Sequence, residues 1–136
     1  MLSYSVILFC LAGLGIVVMA LRYGLAEPPL EYHAEMFRQA GAPPHDVHLM
    51  LIGGLYRVIG AAMFSFAIFQ IGISLGPIAN GEIWARWLLL ITGLVLGIPS
   101  VMVSLEMERI TKVNTPWRIA AGLLVLTVLA FVLSWF

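Results

Sequence analysis

Between Val47 and Ala79 the chain carries one long apolar run, interrupted by His48, Arg57 and a few uncharged polar residues. At about 1.5 Å of rise per residue it is about 50 Å long as a helix, against a hydrocarbon core of roughly 30 Å. The run therefore has to tilt, break at Gly53-Gly54, or project beyond a bilayer. It also holds an arginine, Arg57. A charge in hydrocarbon is costly, so Arg57 needs a partner, a wet cavity or a place near the membrane surface.

The rest of the chain has the same character. Of its 136 residues 62% are hydrophobic and only 10% charged, with a mean hydropathy of +1.03. Soluble domains lie nearer 45–50% apolar and about 25% charged. The apolar residues lie in blocks, which indicates an integral membrane protein. Seven Lys/Arg balance seven Asp/Glu, and no basic patch with interleaved aromatics points to nucleic acid. Cys10 is the only cysteine, so disulfide exchange through a cysteine pair and CxxC zinc sites are excluded.

The hydropathy pattern predicts an all-α fold in a single membrane domain, 1–136. Four transmembrane helices form an antiparallel bundle, with spans at about 3–21, 49–76, 83–103 and 117–136. The first span is expected to be a retained anchor, because no basic residue precedes Arg22. Polar connections cover 22–48 and 104–116. Inside the first, Pro29–Ala40 reads as a short amphipathic surface helix, opened by Pro29 and closed by Gly41. Leu30, Ala34, Phe37 and Gly41 are expected on its apolar face, toward the membrane or the bundle. Asn80-Gly81 predicts a tight turn. Gly97-Ile98-Pro99 should kink the third span. Thr115 is expected to cap the fourth span, with Pro116 at its first position.

Two groups of interfacial side chains frame the spans: Trp84, Arg86, Trp87 and Trp135 at one end, Trp117 and Arg118 at the other. Four spans put both termini on one side, with Arg86 as the nearby base. Arg22, Arg38, Arg109, Lys112 and Arg118 lie on the other side. This asymmetry predicts that the polar connections face the cytoplasm and both termini face outward. Tyr56-Arg57-Val58-Ile59-Gly60 is echoed by Trp117-Arg118-Ile119-Ala120-Ala121. The echo predicts that Arg57, like Arg118, lies near the cytoplasmic interface.

Three sets of residues are candidates for function. Arg57, with Tyr56, Gly53 and Gly60 at helical spacing, is a candidate ligand site: small residues admit a close approach, and the guanidinium suits a lipid phosphate, a carboxylate or a quinone oxygen. The structural alternative pairs Arg57 with Glu35 or Glu106, or lets it reach the headgroups. His45 and His48, three residues apart, together with His33 form a candidate metal set. All seven carboxylates lie in connections or at span ends, which gives no support to a carrier built on a buried acid. There is no nucleophile elbow, P-loop or dinucleotide fingerprint.

Four spans in this length, the word Tyr32-His33-Ala34-Glu35, and Leu55-Tyr56-Arg57-x-x-Gly60 opening the second span resemble small bacterial four-helix membrane proteins. They are loosely similar to the DoxX-like group. The resemblance implies a bundle in a bacterial cytoplasmic membrane and carries no catalytic residue with it. The leading expectation is a non-enzymatic accessory or assembly subunit of a larger membrane complex, or a homo-oligomer. A binding or transport protein for a small amphipathic or anionic ligand anchored by Arg57, and a metal-binding protein using the histidines, are the alternatives. No cofactor is expected beyond bound lipid, with a metal or quinone as the less favoured possibilities.

Overall fold

The computed structural model describes residues 2–136, with side chains from Tyr4 onward. Among them the secondary structure is entirely helical: α1 (Leu2–Leu25), α2 (Glu31–Gln39), α3 (Asp46–Ile73) with a π-helical turn (Ser74–Ile78), α4 (Ile83–Thr111) and α5 (Trp117–Leu133). Three of these are long and apolar enough to cross a membrane: α1, α3 with its π turn, and α4. This is the architecture of a membrane protein. The fourth apolar helix, α5, has 17 residues.

The centre of the fold is α1. Its buried side chains Ser5, Phe9, Ala12, Ile16, Met19 and Ala20 recur at helical spacing. Antiparallel to it, α3 buries Gly53, Tyr56, Gly60, Ala67 and Gln70, one seam of alternating three- and four-residue steps with Met63 between. Where they cross, a Cβ on Gly60 would meet the Gly24 backbone at 2.6 Å. Small residues allow this backbone approach, and dispersion between closely packed helices replaces the hydrophobic drive that lipid does not supply. On its other flank α1 meets α5: the Ser5 hydroxyl donates to the Ala130 carbonyl at 2.7 Å, and Gly15 faces Leu123. In turn α5 carries α4, with Gly93 against Thr127 and Gly97 against Leu124. Phe9, Ile78, Ala85, Leu89 and Ala130 close a small core at the end that holds the 79–82 turn and the last residues of α5.

Several sequence expectations need correction. The long apolar run does not break at Gly53-Gly54; α3 passes through both, and with the π turn it spans 33 residues. Its register changes only at Pro77, which lacks an N–H. There the chain shifts to the wider spacing seen in the Ala79 N–H to Ser74 carbonyl bond of 3.2 Å. The helix that holds the third span does not stop at 103. Here α4 runs through Pro99 to Thr111 and ends at Lys112, whose φ of 58° is left-handed. The non-helical link between α4 and α5 is therefore 112–116. Thr115 does not cap α5: its hydroxyl donates to the Ser104 carbonyl at 2.8 Å, and its N–H to Glu108 at 2.9 Å. Gly41 does close the surface helix, with φ of 64°, and Gly81 makes the turn with φ of 81°.

The inner face of α2 also differs from the expected one. Leu30 is buried and Phe37 half-buried, as expected, but Ala34 and Gly41 are exposed, while Tyr32, His33 and Met36 are half-buried. The helix is too short for its aliphatic stripe to decide its rotation; hydrogen-bonding aromatics do so instead.

Candidate functional site

The helices lie in the order α3, α1, α5, α4, and the ring they begin is not closed. After the tight turn that joins them, α3 and α4 diverge. The buried residues of α4 are Ala85, Leu89 and Gly93, all in its first half. Beyond Gly93 a lateral cleft of about 310 Å³ separates the two helices. Ile16 and Met19 of α1 and Leu123 and Leu124 of α5 form its floor, with Met63 and Phe66 of α3 on one wall and Leu96 of α4 on the other. Along α4 it extends from Gly93 to Ser104, about 17 Å at helical rise.

A few polar groups interrupt this surface. Ser100 and Thr127 also line it, but their hydroxyls donate to their own helices, to the Leu96 carbonyl at 2.6 Å and the Leu123 carbonyl at 3.0 Å. Gln70 is different. It is fully buried at the inner end of the cleft, its amide donates to the Phe9 carbonyl at 2.9 Å, and its Oε1 has no hydrogen-bond partner among the described residues. Sequence reading passed over Gln70. The signal was a long amide inside the apolar run, a group that needs a partner wherever it is buried.

At the other end the cleft reaches Tyr23, which belongs to an aromatic cluster joining α1, α2 and α3. The Tyr23 and Tyr32 hydroxyls share a hydrogen bond of 2.6 Å, and the Tyr23 and Tyr56 rings meet edge to face at 5.5 Å. The Tyr56 hydroxyl accepts from the Leu30 N–H at 3.3 Å. Its own proton is then free for His33 Nδ1, its second partner. In this arrangement Nδ1 is the acceptor and the imidazole is neutral. Burial lowers the His33 pKa below its ordinary 6.5, in agreement with that assignment. Burial, and after it the Tyr23 hydroxyl, raise the Tyr32 phenol above its usual range.

Beside the mouth of the cleft lies a second cavity, of about 220 Å³, between the end of α1, α2 and the 112–116 link. Met19, Tyr23 and Pro116 line both cavities. The second one is the more polar, with Arg22, Glu31, Tyr32 and Asn114 in its wall.

The structure separates residues that the sequence grouped. Gly53, Tyr56 and Gly60 are buried, whereas Arg57 is exposed and lines neither cavity. One residue along a helix turns a side chain by about 100°, so Tyr56 faces the bundle and Arg57 faces away from it. Of the structural alternatives, Arg57 pairs with neither Glu35 nor Glu106: Glu35 pairs with Arg38 at 2.7 Å, and the other ion pair among the described residues is Arg118 with Glu108 at 2.9 Å. Arg57 and Arg118 do share one end of the bundle. Gly60 packs on Gly24, and Ile119 lines the polar cavity with Tyr23.

The histidines divide. His33 joins the tyrosines, while His45 and His48 stay together at the start of α3 with ring centroids 5.8 Å apart. No group of three metal-ligating side chains assembles among the described residues. Of the aromatic anchors, Trp87 packs with Phe131 and Trp135, and Arg86 lies over the Trp135 ring at 5.3 Å. Trp84 is exposed beside Glu82. Arg118 lies over Trp117 at 4.7 Å at the opposite end. No protein-family model, curated protein or solved structure matches the chain.

Proposed function

We propose that the protein is a membrane-embedded binding protein for a single lipid-like amphipathic molecule, whose chain lies in the cleft between α3 and α4. The observation that carries this reading is the cleft itself. Its volume of about 310 Å³ is at the lower end for small-molecule sites and far below what a transmembrane helix needs. Its length of about 17 Å is close to half the roughly 30 Å hydrocarbon core, the depth of one leaflet. It is apolar along its floor and ends beside a polar cavity, the order in which a lipid presents its parts. The anchoring role expected of Arg57 passes to groups at the cleft mouth.

In this reading all four long helices cross the bilayer. At 17 residues α5 lies at the short limit for a span, and its aromatic end at Trp135-Phe136 extends it to the interface. The connection end carries most of the basic residues and faces the cytoplasm of a bacterial inner membrane, so the ligand comes from the inner leaflet.

The test is to fill the cleft. Ser100 is exposed to it and bonds only to its own helix, so Ser100→Phe should fold normally. Native mass spectrometry of the gently extracted protein should show one retained lipid, reduced at least tenfold in Ser100→Phe. Equal retention in the two proteins would refute the proposal.

A second reading, the accessory subunit, is favoured by a different observation. Val47, Met50, Leu51, Leu55 and Val58 are exposed at the start of α3, on a helix too long for the hydrocarbon core. Tilt, or a partner subunit, must accommodate them. Co-purification in mild detergent distinguishes the two: a monodisperse monomer with bound lipid favours the first.

A further inference from the structure

The polar cavity beside the cleft mouth has a composition that selects a headgroup. It contains one cation, Arg22, and one anion, Glu31. Each charge is exposed, and neither is ion-paired among the described residues. The two ion pairs among the described residues, Arg38 with Glu35 and Arg118 with Glu108, involve neither of them. Asn114 adds an amide that can donate or accept. Met19, Tyr23 and Pro116, shared with the cleft, make the two spaces neighbours.

We propose that this cavity is the headgroup subsite of the cleft and that it takes a zwitterionic phosphoethanolamine head, with its phosphate at Arg22 and its ammonium at Glu31. The inference rests on the lipid reading of the cleft and specifies its ligand. A guanidinium binds phosphate oxygens through charge-assisted hydrogen bonds. A carboxylate beside it discriminates among heads that share that phosphate. A primary ammonium donates hydrogen bonds to Glu31; a trimethylammonium keeps the charge but has no N–H to donate. A glycerol head brings no positive charge, so the phosphate meets Glu31 uncompensated. The order of preference is ethanolamine, then choline, then glycerol. Since both charges are solvated, the selectivity is several-fold and weakens as salt rises.

The experiment uses the full chain in mixed micelles with equimolar phosphatidylethanolamine, phosphatidylcholine and phosphatidylglycerol of one acyl composition. Native mass spectrometry then reads which lipid stays bound. The wild type should retain phosphatidylethanolamine several-fold over phosphatidylglycerol. Arg22→Gln should lower retention of all three, with Arg22→Lys restoring part of it. Glu31→Gln should bring the ethanolamine-to-glycerol ratio to about one without reducing total lipid. Both positions are exposed, so size-exclusion profiles of the variants should match the wild type. Lipid retained and displaced by Ser100→Phe, but with no head preference or with a preference unaffected by Glu31→Gln, would overturn this inference alone. No retained lipid in the wild type would overturn the cleft reading with it.

Discussion

Gly60 is the position where the fold leaves least room. A Cβ there would lie 2.6–2.9 Å from backbone atoms of Gly24 and Ala20, and backbone cannot rotate aside as a side chain can. Gly54, six residues earlier on the same helix, has open space around it. Gly60→Ala is therefore expected to cost about 1–3 kcal/mol through overpacking, read as a lower melting temperature in detergent. Gly54→Ala should be neutral or slightly stabilising, since alanine is the better helix former. Equal effects would show that α1 and α3 do not cross at Gly60. The glycines were visible in the sequence as a place of close approach. What approached them was not: a guanidinium-bound ligand was expected, and the neighbouring backbone of α1 occupies the place.

At the scale of the element, α2 is the segment with least holding it. None of its nine residues is fully buried, and its inward attachments are the bonds of Tyr32 to Tyr23 and His33 to Tyr56. With His33 Nδ1 accepting the Tyr56 proton, the second goes with a neutral imidazole. Since burial lowers the His33 pKa, the undocked segment binds a proton more readily than the docked one. The contribution of His33 to docking is therefore full above the ordinary value of 6.5 and is lost as pH falls through it toward the lower docked value. Hydrogen exchange of the α2 amides should rise more between pH 7.5 and 5.5 than the intrinsic exchange rate explains. His33→Phe, which keeps a ring but carries no proton, should remove that excess; an excess unchanged in the variant would place the pH response elsewhere. A short helix near Glu31–Gln39 was legible from Pro29 and Gly41. Its inward face was not, because hydrophobic periodicity over nine residues is a weaker constraint than three hydroxyls and an imidazole seeking partners.

At the scale of the molecule, the packing is uneven. One side has α1 between α3 and α5, with buried small residues along its length. The other has α4, which rests on α5 and leaves the cleft unfilled beyond Gly93. Local opening follows local packing. Amide exchange in detergent should be slowest in the middle of α1 and fastest, among the four long helices, in the half of α4 after Gly97. A uniform pattern would mean that α4 is held by contacts other than those with α5. Occupancy of the cleft should slow exchange in that half selectively, which links this prediction to the ligand test.

The sequence by itself determined the class of the molecule: blocks of apolar residues with every charge except Arg57 at or beyond their ends leave a membrane helix bundle as the way to satisfy the backbone. It also located the turns, because Gly41 and Gly81 adopt conformations that other residues rarely reach. The tertiary structure decided which helices touch. Apolar helices in lipid are not oriented by hydrophobicity, since every face is equally apolar. Their rotation is chosen by a few close approaches, Gly60 on Gly24 and Gly93 on Thr127, and by polar groups that must find partners, Gln70 and the Tyr23–Tyr32–His33–Tyr56 cluster. Those choices left α3 and α4 apart, and so placed the candidate site in a cleft that no single stretch of sequence contains.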